Sequence, residues 1–107
     1  MVKEIVFYTN SKGEAPFAEW FNSMRDHVMR HRIEARIDRI REGNYGDHKR
    51  FYGIIEVRMN FGKGYRLYCA EYGNTIVILL LGGDKASQTK DIGEALKYWR
   101  DYEENEA

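Results

Sequence analysis

The chain has 107 residues, of which 43% are hydrophobic, 14% aromatic and 32% charged, with no net charge. That length sets one domain, residues 1–107, burying roughly 60–70% of its unfolded surface, and the composition excludes a disordered chain. The longest apolar run, residues 75–81, falls well short of the roughly 20 residues a bilayer span requires. Residues 2–8 lack the architecture of a secretory leader, so a cytoplasmic protein with no membrane partner is expected.

Residues 2–8 are rich in β-branched and aromatic types and end at Thr9-Asn10-Ser11-Lys12-Gly13, which predicts a first strand. Pro16 suits the first turn of a helix, and Phe17, Trp20, Phe21, Met24 and Val28 recur at three and four to give it one apolar face. A second helical stretch sends Ile33, Ile37 and Ile40 inward, sets Arg32, Arg36 and Arg39 on another side, and stops at Gly43-Asn44. The pattern allows one kinked helix or two; an antiparallel hairpin is expected, because a single helix this long has little to pack against.

Residues 44–52 read as a loop carrying His48, Lys49 and Arg50. Residues 53–60 then alternate, with Ile55, Val57 and Met59 on one side and Glu56 and Arg58 on the other. After Gly62-Lys63-Gly64, residues 65–72 alternate in the same way, with Arg66, Tyr68 and Ala70 opposite Tyr65, Leu67 and Cys69. Gly73-Asn74 predicts a two-residue turn into the apolar strand 75–81, which Gly82-Gly83 breaks. Ser87 is the expected N-cap of a last helix with Ile92, Ala95, Leu96, Trp99 and Tyr102 in its stripe, and residues 103–107 are expected to fray. Cys69, the single cysteine, reads as a packing residue.

The zero net charge conceals an asymmetry. Residues 25–66 hold 11 Lys and Arg against 6 Asp and Glu, a net of +5, whereas residues 84–107 hold 4 against 7, a net of −3. Arg58 and Arg66 fall on neighbouring strands, and Lys85 follows Gly82-Gly83 at the start of a helix whose free N–H groups favour anions. Arginine's planar fork suits phosphate, so the three together predict a cradle for a phosphate-rich partner. The same spacing equally allows Glu56 to pair with Arg58 or Arg66 on a solvent-facing side. GGDKAS lacks the glycine spacing of a nucleotide-triphosphate loop. His27 and His31 stand four apart on a helix but no third ligand is evident, so no metal is expected. His48 is the histidine nearest the cradle.

Several ordered motifs in this half of the chain resemble one family. Gly-Asn-x-Gly-Asp-x-Lys stands at residues 43–49, Glu-x-Arg at Glu56 and Arg58, Gly-x-Gly-Tyr-Arg-x-Tyr at residues 62–68, and an apolar strand at 75–81. Gly-Gly-Asp-Lys-x-x-Gln-x-x-Asp-Ile follows at residues 82–92. Together they resemble the phage-derived, HigB-like "addiction module killer protein" branch of the RelE/ParE toxin superfamily. The resemblance implies an α+β, RelE-like fold in the order β-α-α-β-β-β-α, with a small, mainly antiparallel sheet, an N-terminal helical hairpin and a C-terminal helix.

It further implies the toxin of a type II toxin–antitoxin system, an mRNA interferase that works on the ribosome without metal or other cofactor. By that resemblance Arg66 stabilises the transition state with Arg58 and Lys85, Lys49 or His48 serves as acid or base, and Arg50, Lys63, Tyr68 and Glu56 contact RNA. The implied partners are messenger RNA, the ribosome and an adjacently encoded helix-turn-helix antitoxin in a hetero-oligomeric complex. ParE-like relatives that poison DNA gyrase, and a degenerate toxin that only binds its antitoxin, are the alternatives on the same fold.

Overall fold

A computed structural model describes residues 2–106 of the chain. The elements are β1 (Glu4–Phe7), α1 (Pro16–Ser23), α2 (His27–Arg41), β2 (His48–Phe51), β3 (Ile54–Arg58), β4 (Arg66–Tyr72), β5 (Ile76–Gly83), a 3-10 turn at Lys85–Ser87 and α3 (Gln88–Glu106). Five strands form one sheet in the order β1-β5-β4-β3-β2, antiparallel throughout except for the parallel pair β1 and β5. The architecture is α+β, with a strand more than the sequence pattern predicts.

Period-2 alternation makes the two faces of this sheet. Ile55, Val57, Met59, Leu67, Cys69, Val77 and Leu79 pack under Phe17 of α1 and Ile33 and Ile40 of α2. Ile54, Tyr68, Ala70, Ile78 and Leu80 pack on the other side under Ala95 and Trp99 of α3. The result is three layers, with two helices on one face and one on the other. Met24 and Arg25 separate α1 from α2, and the Asp26 side chain caps α2 by accepting from the Val28 and Met29 amides, so the kinked single helix is excluded.

Several predicted boundaries are corrected. Residues 48–51 are a strand instead of loop, and Tyr52-Gly53 turns it into β3, both with positive φ, 53° and 86°. The β4–β5 connection takes three residues because Tyr72 pairs with Ile76. Gly82 and Gly83 do not break β5 but end it: a Cβ on Gly82 would enter the Trp20 ring, and one on Gly83 would meet the Asp91 carboxylate. Asp84 caps the 3-10 turn, with Ser87 completing a reciprocal capping box, and Ser87 stands directly before Gln88, the first residue of α3. Helix α3 continues through Glu106, whose carbonyl accepts from the Tyr72 hydroxyl at 3.0 Å; Ala107 lies outside the described residues.

A candidate anion site on the sheet

Register decides which side chains meet. Lys49 stands opposite Glu56, and Glu56 opposite Tyr68, so these three form one row across β2, β3 and β4 on the α3 side. Two residues along, Arg58 stands directly opposite Arg66. Like charges directly opposite on adjacent strands destabilise a ladder unless something compensates them. Glu56 does so from below. Its carboxylate lies 3.2 Å from Arg58 Nε and 3.6 Å from Arg66 Nε, and it accepts from Tyr68 Oη at 3.1 Å and Gln88 Nε2 at 2.9 Å.

The carboxylate is shut away from water, with its side chain 1% exposed, whereas Arg58 is 38% and Arg66 13% exposed. The alternative of a solvent-facing Glu56 pair is thus corrected: the pairing is real, but it is buried, because three hydrogen-bond donors, Arg58, Tyr68 and Gln88, and the nearby Arg66 charge replace the water the carboxylate lost. Burial, then the neighbouring Glu56 charge, pushes the Tyr68 phenol well above its ordinary value and keeps it a donor. Tyr68 is fully buried, so it supports Glu56 and has no ring face to offer a base. Glu56 likewise presents nothing to an RNA directly.

The guanidinium of Arg66 is under-employed. Nη1 donates to the Gly64 carbonyl at 3.0 Å, but Nε is buried with no hydrogen-bond partner. One buried carboxylate set against two guanidiniums leaves the group net positive. Lys85 flanks it, since both the Lys85 Cβ and Arg66 Nη1 lie within 4 Å of where a Gly64 Cβ would stand. Lys49 and Arg58 share a cleft of about 320 Å³ with Glu56, Gln88, Phe51, Tyr52 and Ile92. Lys63 is exposed in the β3–β4 loop, whose carbonyl receives the Lys85 amide.

The other two predicted basic positions are elsewhere. His48 and Arg50 alternate with Lys49 and so fall on the α1–α2 side of β2. The His48 ring packs on Tyr45 with Nδ1 against the Gly46 carbonyl, and Arg50 donates to Glu71 at 3.0 Å. Strand β2 therefore separates the two candidate acid–base groups and leaves Lys49 alone on the cradle side. His27 and His31 are exposed on α2, and among the described residues no group of three or more His, Cys, Asp or Glu comes together as a metal site. Cys69 is fully buried.

Gln88, Tyr52 and Asp91 were not singled out by residue type or spacing. Gln88 does stand inside the Gly-Gly-Asp-Lys-x-x-Gln motif, five residues after Gly83, which is the one signal that it faces the sheet. Asp91 is held over Gly83 by the Ser87 hydroxyl. A cleft of about 410 Å³ lies on the opposite side between β1, α1 and α2; Phe7, Phe17 and Phe21 line it, and it holds none of the cradle residues.

No protein-family model matches the chain. It is 42% identical over 80 residues, 74% of this chain and 81% of the other, to a protein of Haemophilus influenzae described as uncharacterized.

Proposed function

The chain belongs to one family with that Haemophilus influenzae protein, and we propose that it is the toxin of a type II toxin–antitoxin pair with a RelE-like fold, an mRNA interferase acting in the cytoplasm. The observation that carries this reading is the Arg58–Arg66 pair, forced side by side by register and held from beneath by a single buried carboxylate. The motif resemblance to HigB-like toxins supports it.

The chemistry is a transesterification within RNA. A ribose 2′-oxygen attacks the adjacent phosphorus; the new P–O2′ bond forms as the P–O5′ bond breaks, leaving a 2′,3′-cyclic phosphate and a 5′-hydroxyl. Charge accumulates on the phosphorane oxygens, where the guanidiniums of Arg66 and Arg58 donate, assisted by Lys85. The 2′-hydroxyl proton passes to water, and the Lys49 ammonium supplies a proton to the departing 5′-oxygen. Glu56 is clamped by three hydrogen-bond donors and the Arg66 charge and takes no part in proton transfer; it holds the arginines. Lys63 extends the positive surface along the backbone of the message. A small helix-turn-helix antitoxin, encoded beside the toxin, is the partner that restrains it in a hetero-oligomer.

The test is primer extension on messenger RNA from a translation reaction, with ribosomes present or omitted. New 5′ ends are expected with the native protein and not with Arg66→Ala, where losing the main charge stabiliser lowers the rate by about 10²–10³. An uncut message under both conditions overturns the interferase reading, and gyrase cleavage complexes then become the assay of choice.

A further inference from the structure

The cleft beside the arginine pair has a second half that phosphate chemistry does not use. Its walls there are Phe51, Tyr52, Gln88 and Ile92, an aromatic, amide and aliphatic set adjoining Arg58 and Lys49. At about 320 Å³ it lies at the small end of ligand-sized clefts, which run roughly 300–1,000 Å³.

Tyr52 is the unusual member. It is 81% exposed, and it is the one non-glycine residue with positive φ among those described. A side chain in that left-handed region is sterically strained, and Asn or Gly is the usual occupant of such a hairpin tip. The tip is nevertheless held firmly. A Cβ on Gly53 would stand 3.2 Å from Trp99 Nε1, so α3 braces the turn, and Phe51 meets Tyr52 edge-on with ring centroids 6.0 Å apart. A strained backbone thus presents an exposed aromatic ring to solvent beside a cationic site.

Gln88 completes the cleft. Its Nε2 donates to Glu56, which fixes the amide plane, while Oε1 has no hydrogen-bond partner among the described residues. A fixed amide beside an exposed ring can accept from a base edge while the ring stacks on the base face, the two contacts by which single-stranded RNA is read.

We infer that this cleft is a nucleobase subsite: Tyr52 stacks on, and Gln88 reads the edge of, the base whose phosphate lies on Arg58. The inference rests on the ribonuclease reading for the identity of the polymer, but it concerns binding and can be tested without cleavage. The probe is a seven-nucleotide 2′-O-methyl RNA, which cannot be cut, followed by fluorescence anisotropy, beside an abasic ribose-phosphate oligomer of the same length.

Tyr52→Asn removes the ring while suiting the left-handed backbone, so urea unfolding is expected to show stability held or raised. Its affinity for the 2′-O-methyl RNA is expected to fall by about 5- to 150-fold, the range of one aromatic–base stack, with Tyr52→Phe within about twofold of native. The abasic oligomer is expected to bind the native and Tyr52→Asn proteins equally. If Arg66→Ala weakens RNA binding and Tyr52→Asn does not, the subsite is overturned while the phosphate cradle stands. If Tyr52→Asn weakens binding although the native protein leaves messages uncut, the subsite stands and the nuclease reading falls. RNA that fails to bind the native protein overturns both.

Discussion

The sheet carries two clusters built from the same parts on opposite faces. Glu56 meets Arg58, Arg66 and the Tyr68 hydroxyl on the α3 side; Glu71 meets Arg50, Lys3 and the Tyr45 hydroxyl on the other. They differ in cover. The Glu71 side chain is 32% exposed at an open corner, where the hydrogen bond from Arg50 holds its carboxyl below the usual range. The Glu56 side chain is 1% exposed beneath α3. Water screens the first cluster and reduces it to a surface ion pair. Losing that water makes the second an obligatory scaffold, since a buried carboxylate is tolerable only with its donors in place.

Removing each carboxylate should separate the two clusters most sharply. Glu56→Gln leaves two opposed guanidiniums without their counter-charge, and urea unfolding is expected to show a loss of about 3–5 kcal/mol. A loss below 1 kcal/mol would mean the arginines do not depend on Glu56. Next in size is a separation of activity from stability at Arg66. Arg66→Met keeps the three hydrogen-bond donors of Glu56 and relieves the opposition of two like charges, so the loss of stability is expected to be smaller than for Glu56→Gln while cleavage disappears. A large destabilisation there would reclassify Arg66 as scaffold.

The smallest effect belongs to the exposed cluster. Glu71→Gln is expected to change stability by about 0–1 kcal/mol and leave cleavage intact. The pH dependence gives the same contrast with a definite sign. Because the folded carboxyl of Glu71 is depressed, its contribution is fully present above the unfolded value of about 4.3 and is lost as pH falls through the lower folded value. Acid titration of the native protein should show that increment below about pH 4.3, and Glu71→Gln should lack it.

The sequence pattern read the faces of β3 and β4 correctly to the residue, because the α1–α2 side is purely apolar in Ile55, Val57, Met59, Leu67 and Cys69 while the α3 side mixes apolar residues with Glu56, Arg58, Arg66 and Tyr68. Strand β2 was missed because His-Lys-Arg-Phe has neither alternation nor β-branching. It is one of the sheet's two edge strands, where charges guard against pairing with another chain and erase the usual signal. Tyr52-Gly53 is not a recognised turn pair, so the hairpin that sorts Lys49 from His48 was illegible as well. Gly82-Gly83 resembled a break because glycine's absent side chain was read as freedom, when Trp20 and Asp91 fill that space from either side. The cation cradle was legible in outline; the burial of Glu56 was not, since it depends on Gln88 arriving from α3.

The parallel pairing of β1 with β5 also sets a timetable. Lys3 bonds the Asn74 carbonyl 71 residues away, and Tyr8 bonds Asp101 93 residues away, whereas Arg58 and Arg66 are joined within a single hairpin. At synthesis rates of roughly 5–20 residues/s, β1 waits on the order of 4–14 s for β5 to follow it. The cationic rim of the site thus assembles early and locally, while its cover on α3 and the sheet's final edge arrive together at the end. The nascent chain meanwhile carries β1 and the β4 edge unpaired, so the slow, non-local closure is the step most exposed to a competing strand.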